Sequence, residues 1–285
     1  MSLRTRLQDS AILTAPGVYD GLTAAIATDA GFEALYLSGA AVAYTRLGRP
    51  DIGLSTASEM ADTMALIADR TPLPVIMDAD TGFGNALNAR RTMQNYERAG
   101  AAALQVEDQT YPKRCGHLSD KSLISCNEMV GKIKAMVDAR RHDTLVIART
   151  DAIAVEGFDA AVDRAGAYVN AGADVLFIEA PRDRDELSRI PQTFGTRVPL
   201  LANMVEGGAT PISETSDLEA LGFSIAIFPG GIVRALAKTA QDYYASLHAT
   251  GSNRAFKDRM HDFDSLNDVI GTRDMLALGG RYDDA

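Results

Sequence analysis

The chain has 285 residues, 46% hydrophobic and 23% charged, a balance ordinary for a globular protein and a length that suits one barrel or two modest domains. A formal net charge of −10 argues against a nucleic-acid partner, whose phosphates it would repel, but not against a small anionic substrate held by a metal and an arginine. No apolar run reaches the roughly 18 residues of a membrane helix, the polar start Met1–Ser10 does not read as a leader, and two cysteines, Cys115 and Cys126, fit a reduced, cytoplasmic setting better than a disulfide framework.

Short apolar runs alternate with longer amphipathic stretches. Strands are predicted at Leu13–Pro16, Ala34–Ser38, Pro74–Asp80, Ala103–Glu107, Leu145–Arg149, Val175–Glu179, Pro199–Asn203 and Ser224–Phe228. Most are rich in Val, Ile and Leu without polar alternation, as in parallel strands buried on both faces. Helices are predicted between them at Asp20–Ala30, Ala57–Ala68, Ala86–Ala99, Glu128–Arg140, Asp159–Ala171 and Asp183–Ile190, several closing on glycine (Gly31, Gly100, Gly172, Gly222), which takes the left-handed C-terminal position with little strain. Eight such repeats over about 250 residues predict an α/β fold, a (β/α)₈ TIM barrel forming one domain over 1–285. A doubly wound open sheet is the alternative, weakened because Pro16-Gly17-Val18-Tyr19-Asp20 stands where a G-x-G-x-x-G fingerprint would follow the first strand. Residues 251–285 read as a C-terminal helical extension, with helices at Arg254–Leu266 and Arg273–Leu278.

Polar residues stand where the strands stop: Ser38-Gly39, Asp78-Ala79-Asp80, Glu107-Asp108, Arg149-Thr150-Asp151, Glu179, and Asn203 with Glu206 beyond. In a barrel these ends converge on the face that carries the chemistry. Each acid alone reads equally well as a helix N-cap; six strand ends in succession do not. Gathered carboxylates with one arginine call for a hard cation, and oxygen-only ligands point to Mg²⁺, with Mn²⁺ as the variant. Asp78 and Asp80, two apart on a strand, would point the same way and approach one ion.

The connection from Gln109 to about Ser125 is long and polar and holds Lys113-Arg114-Cys115-Gly116-His117. Cations beside a thiol favour the thiolate, so Cys115 reads as an acid/base group, with nucleophile or inert residue as alternatives. Ser125-Cys126-Asn127-Glu128 reads as a helix capping box, and Cys126 is given no chemistry.

Together with Tyr36-Leu-Ser38-Gly39, Gly48-Arg-Pro-Asp51, Thr81-Gly-Phe-Gly84, Val106-Glu107-Asp108-Gln109, Ile147-Ala-Arg149-Thr-Asp151-Ala152 and Leu201-Ala-Asn203-Met-Val-Glu206-Gly-Gly208, these motifs make the chain resemble the isocitrate lyase/phosphoenolpyruvate mutase superfamily over nearly its whole length. The Lys-Arg-Cys-Gly-His loop narrows the likeness to the branch that includes the 2-methylisocitrate and 2,3-dimethylmalate lyases. The resemblance implies a Mg²⁺-dependent C–C lyase that cleaves a 2-hydroxy, alkylated di- or tricarboxylate into an α-keto acid and a second carboxylate. The alternatives in the same branch are an oxaloacetate hydrolase or decarboxylase and a carboxyphosphonoenolpyruvate phosphonomutase.

It also implies roles. Asp80 would hold the metal, with Asp78 and Glu107 acting mostly through water. Ser38, Gly39 and Ala40 would grip the α-carboxylate. Arg149 would pair with a substrate oxygen, and Asn203 and Glu206 would hold the second carboxylate or the loop. Asp51, Lys113, Gly116, Glu179 and Pro229 complete the implied substrate site. Cys115 would protonate the departing carbanion with His117 beside it, and Tyr36 is the candidate base. The extension would swap its last helix between subunits in a homotetramer, a dimer of dimers. Ser38-Gly39-Ala40-Ala41 departs from the Ser-Gly-Gly-Gly of 2-methylisocitrate lyases, and Glu206-Gly207-Gly208 is nearer the dimethylmalate lyase and phosphonomutase pattern, so the substrate stays open.

Overall fold

A computed structural model describes residues 2–114, 120–205 and 214–283. Within them the chain divides into two compact units, Met1–Gly231 and Ile232–Ala285.

The first unit is a closed barrel of eight strands in the order of the sequence. They are β1 (Leu13–Val18), β2 (Leu35–Leu37), β3 (Val75–Asp78), β4 (Ala103–Glu107), β5 (Leu145–Thr150), β6 (Val175–Ile178), β7 (Leu200–Asn203) and β8 (Ile225–Phe228). Every neighbouring pair is parallel, and β8 closes on β1 with Leu13 opposite Ile225 and Pro16 opposite Phe228. Closure settles the topology in favour of the (β/α)₈ barrel over an open sheet. Gly17 has a specific task at the seam: a Cβ there would lie 2.4 Å from the Pro229 carbonyl oxygen, so only glycine lets the chain after β8 pass β1 so closely.

The strand periodicity builds two apolar layers. Leu13, Ala15, Tyr36, Ile76, Ala103, Ile147, Phe177, Leu201 and Ile225 belong to one cluster, filling the barrel. Leu176, Ile178, Leu200, Ala202 and Ala226, one residue out of step on β6 to β8, belong to another that includes Ala161, Leu187 and Leu218 of the covering helices. Alternate residues of a strand face opposite ways, so strands buried on both faces read as unbroken apolar runs.

The helices of this unit are α1 (Leu3–Arg6), α2 (Gly21–Asp29), α3 (Gly39–Val42), α4 (Ala57–Arg70), α5 (Ala86–Arg98), α6 (Cys126–Ala139), α7 (Ala152–Val155), α8 (Phe158–Asn170), α9 (Arg184–Phe194) and α10 (Thr215–Leu221). Most of the long ones, α8 excepted, begin where a side chain takes the free amides of the first turn. Asp20 caps α2, Thr56 caps α4, Asn85 caps α5, Ser125 caps α6 and Asp183 caps α9. None of these is a strand-end acid, which removes the capping explanation for the acids at the ends of β3, β4 and β6. Ser125 Oγ accepts the Glu128 N–H at 3.2 Å, so Cys126 opens α6 as its sequence context predicts. The short α3, continued by a π-helical turn at Ala43–Leu47, and α7 were not anticipated.

The second unit holds most of α11 (Gly231–Thr250), a 3₁₀ turn at Arg254–Arg259, α12 (Phe263–Ile270) and α13 (Thr272–Asp283). The helix predicted over Arg254–Leu266 is not continuous. The backbone turns extended at Met260, and Asp262 starts a new helix by accepting the Ser265 N–H at 2.8 Å. Among the described residues no helix is long and apolar enough to cross a membrane.

Candidate active site

The carboxylates predicted at the strand ends do converge, and they are buried. Asp80, Glu107, Asp108, Asp151 and Glu179 are all under one-tenth exposed. Asp78 and Asp80 meet in a different way from the one expected. β3 ends at Asp78, and Asp80 lies beyond it in a turn with φ 45°. The Asp80 N–H donates to Asp78 Oδ1 at 3.1 Å and its carbonyl accepts the Glu107 N–H at 2.9 Å. The turn, not strand alternation, brings the two acids together. Gly39 abuts them: a Cβ there would stand 2.9 Å from Asp78 Oδ2.

Lys113 is the first cation of the site. Its buried ammonium donates to Asp51 Oδ1 at 2.5 Å and lies 2.9 Å from Asp80 Oδ1. Burial works against its charge, but Asp80, Asp51 and Asp78 outweigh this and hold its pKa well above the usual value. Lys113 therefore spends its charge on these carboxylates. Arg114 likewise pairs with Asp120 at 3.3 Å, while its backbone N–H and carbonyl bond the Gln109 side chain at 3.0 and 2.8 Å. Cys115, whose thiol these cations are expected to favour as thiolate, lies outside the described residues.

Arg149 is the second cation. Its Nε and Nη2 donate to the two oxygens of Asp151 at 2.8 and 3.0 Å, Glu107 Oε2 lies 3.4 Å from Nε, and Glu179 Oε1 lies 3.9 Å from Nη2. The guanidinium carbon sits 5.1 Å from the Phe177 ring centroid. Asn203 Nδ2 donates to Glu179 at 3.3 Å, which joins the ends of β6 and β7.

The acids respond to this crowding. Burial raises the Asp80 carboxyl to about 6 even with Lys113 opposing it, and burial pushes Glu107 well above the carboxylate range. Among the described residues, Glu107 Oε1 is buried with no hydrogen-bond partner. Among the described residues, three cations (Lys113, Lys121, Arg149) face six carboxylates (Asp51, Asp78, Asp80, Glu107, Asp151, Glu179), a net of three negative charges when all are ionised. An anionic substrate entering here needs further positive charge. Among the described residues no three His, Cys, Asp or Glu side chains gather closely enough to be joint direct ligands, so a cation here would take few protein oxygens and complete its shell with water or substrate, as Mg²⁺ does.

The remaining expected residues divide. Ser38 Oγ caps α3 by accepting the Ala41 N–H at 3.2 Å, which puts Gly39 and Ala40 in a first helical turn. Tyr36 lies in the barrel interior with its hydroxyl donating to Gln105 Oε1 at 2.9 Å, and burial, then Asp78, raises its pKa well above the phenol value. A phenol so placed is harder to ionise than a free one, which weighs against Tyr36 as the base. Pro229 borders the β1 seam. Cys115, Gly116, His117 and Glu206 lie outside the described residues. Sequence reading missed Gln105, hidden inside a strand, and Lys121, whose Nζ donates to Asp151 Oδ1 at 2.8 Å. The strand-end Asp108 is buried and accepts from Thr150 Oγ1 at 2.7 Å, Tyr168 Oη at 2.8 Å and the Asp151 N–H at 3.0 Å.

Residues 3–248 match the family described as phosphoenolpyruvate phosphomutase. The chain belongs to the isocitrate lyase/phosphoenolpyruvate mutase superfamily. Among its curated relatives in this superfamily is a 2,3-dimethylmalate lyase of Eubacterium barkeri, 43% identical over 98% of this chain and 96% of the relative. A 2-methylisocitrate lyase of Aeropyrum pernix is 46% identical over 95% of this chain and 87% of the relative. The crystal structure of a 2,3-dimethylmalate lyase superposes with a TM-score of 0.93 at 37% identity, covering 98% of this chain and 94% of that one. A phosphonopyruvate hydrolase crystallised with oxalate and Mg²⁺ superposes with a TM-score of 0.88 at 31% identity, covering 99% of both chains. The expected reaction class, a carbon–carbon lyase, is that of the named lyase relatives.

Proposed function

We propose that the chain cleaves the C–C bond of a 2-hydroxy, alkyl-substituted di- or tricarboxylate, of the 2-methylisocitrate or 2,3-dimethylmalate type, into an α-keto acid and a second carboxylate. The observation that carries this reading is the buried Arg149 set among the Glu107, Asp151 and Glu179 carboxylates at the mouth of the barrel, in a chain over 40% identical to two such lyases. Mg²⁺, or Mn²⁺ in its place, fits the acids: Asp80 would hold it directly, with Asp78 and Glu107 reaching it mostly through water. The unpartnered Glu107 oxygen and the raised pKa values of Asp80 and Glu107 support this fit, because a dication relieves both. The chemistry the metal supplies when bound is Lewis acidity that lowers the pKa of the substrate hydroxyl.

The chain's own residues do the rest. Arg149 pairs with the substrate's α-oxygen, which fixes the scissile bond relative to the acids. The Ser38 hydroxyl and the Gly39 and Ala40 N–H groups take the α-carboxylate. Asn203, Glu179 and Glu206 hold the second carboxylate, with Asp51 and Lys113 closing the other side. The substrate hydroxyl gives up its proton to water, its oxygen closes the keto C=O as the C–C bond breaks, and the pair of that C–C bond stays on the fragment that becomes the second carboxylate. Cys115 delivers its thiol proton to that carbon, assisted by His117.

The test is a screen of 2-methylisocitrate, 2,3-dimethylmalate, other 2-alkylmalates, isocitrate and oxaloacetate with Mg²⁺, following α-keto acid release. Cys115→Ser is expected to lose on the order of 10³-fold in kcat, about 4 kcal/mol of barrel-bound acid catalysis. Full activity in that variant removes Cys115 as the proton donor. Rapid loss of oxaloacetate with no cleavage of alkylated substrates would replace the lyase reading with the hydrolase one.

We further propose a cytoplasmic homotetramer, a dimer of dimers that exchanges its last helix. Phe263 is 83% exposed and Leu276 73% exposed, with Met275 and Tyr282 also open, an apolar surface of the kind that subunits cover. Light scattering should give about four times the 30.4 kDa chain mass. Phe263→Asp should lower that mass, and a monomeric wild-type protein would end this proposal.

A further inference from the structure

We infer that Lys121 is a positioning residue for the reaction: through the Asp151 carboxylate that also grips Arg149, it fixes the return arm of the Cys115-bearing connection against the substrate-binding guanidinium. The inference rests on the reading that Arg149 and Cys115 serve the substrate.

The geometry is a shared carboxylate. Asp151 Oδ1 accepts both from Arg149 Nη2 at 3.0 Å and from Lys121 Nζ at 2.8 Å, while Oδ2 takes Arg149 Nε at 2.8 Å. The Lys121 side chain is 2% exposed and that of Asp151 fully covered. Asp151 already takes two hydrogen bonds from Arg149, whose single charge is shared with Glu107 and Glu179, and Lys121 is its second cation. Burying an ammonium is costly, and what this one gains is attachment: it joins the connection after β4 to the end of β5. Asp151 is itself fixed, because its N–H donates to Asp108 Oδ1 at 3.0 Å and Asp108 is held by Thr150 and Tyr168. The anchor is therefore itself tied to the exits of β4 and β5.

The rest of the arm follows from the same side. Thr110 N–H donates to the Ser122 carbonyl at 2.8 Å, Gln109 and Leu123 form an antiparallel bridge, and Ile124 N–H donates to the Asp108 carbonyl at 2.9 Å. Arg164 Nη1 donates to the Ile124 carbonyl at 3.0 Å. The arm is thus stitched to the exit of β4 by its backbone. Lys121 is where it reaches across to the exit of β5. A change at Lys121 should leave the barrel folded while loosening the register between the loop and Arg149.

The test uses the full chain in a Cys126→Ser background, where Cys115 is the sole thiol. Alkylation of Cys115 by iodoacetamide is timed by mass spectrometry for Lys121, Lys121→Met and Lys121→Arg, beside kcat and KM on the best alkylmalate. Lys121→Met should change the alkylation rate at least about threefold and lower kcat by on the order of tenfold with KM within about twofold, since misplacement of a reacting group costs turnover more than binding. Lys121→Arg, which keeps a cation for Asp151, should recover part of both. An unchanged alkylation rate overturns the inference, as does a changed rate with full kcat. Should the wild-type protein cleave none of the substrates, the proposed function fails, and the alkylation rates alone decide the role of Lys121. Lys121→Gln, which still donates to Asp151, replaces the methionine variant if that one does not fold.

Discussion

Asp80→Asn should abolish turnover, by on the order of 10³-fold or more, and at the same time melt several degrees higher than the wild-type chain in EDTA. The first effect is the loss of a metal ligand, worth several kcal/mol of transition-state stabilisation. The second follows from the pKa. Burial holds the Asp80 carboxyl at about 6 against an ordinary 3.8, with Lys113 opposing and Asp78 and Asp51 adding to the rise. The folded state therefore binds more protons than the unfolded one between those two values. Stability of the metal-free protein falls as pH rises through that window, by about 3 kcal/mol at neutral pH when the shift is taken whole. An asparagine carries no such cost. Mg²⁺ should restore the wild-type melting temperature and leave that of Asp80→Asn unmoved. Thermal melts at pH 7.5 with EDTA or MgCl₂ check this, beside kinetics. A variant that still responds to Mg²⁺ would take Asp80 out of the metal site, and one that melts lower than the wild type in EDTA would remove the burial cost assigned to its carboxylate.

The same residue shows how far the sequence could be read. Eight buried apolar runs located the strands to within two residues because such strands are specified by their own composition. The barrel then placed every strand-end acid on one face, so the cluster was legible without any partner being known. What was not legible depends on contacts across the chain. Asp80 reaches Asp78 through a left-handed turn that no periodicity announces. Gln105 receives the Tyr36 hydroxyl from 69 residues away, and Lys121 finds Asp151 from 30 residues away. In the second unit the unbroken periodicity of Arg254–Leu266 hid a break at Met260, where the Asp262 cap outweighs helix continuation.

Arg149→Lys should fold and fail, with kcat/KM down by about 10²- to 10³-fold, whereas Arg149→Met should lose about 3–5 kcal/mol of stability. The contrast comes from how the guanidinium is used. Two of its N–H groups are fixed on Asp151, Glu107 and Glu179 lie beside it, and Phe177 covers its face. A lysine keeps the charge these acids need but cannot grip Asp151 with a planar fork and still aim a further donor at substrate. A methionine leaves Asp151, Glu107 and Glu179 without their shared cation in a buried site. Asp151 supplies a second readout. Burial pushes its carboxyl up, but the charge and hydrogen bonds of Arg149, with help from Lys121, bring it to about 2 from an ordinary 3.8. A depressed carboxyl stabilises the fold above its unfolded pKa, and that contribution, about 2 kcal/mol here, is lost only as pH falls through the folded value. Without Arg149 the folded pKa rises, so acid unfolding of Arg149→Met should begin at higher pH than that of the wild type, while Arg149→Lys stays close to it. Urea unfolding at pH 7 and an acid titration followed by circular dichroism measure both. An Arg149→Lys variant within about threefold of wild-type kcat/KM, well short of the expected loss, would show that the planar fork is not what the reaction uses.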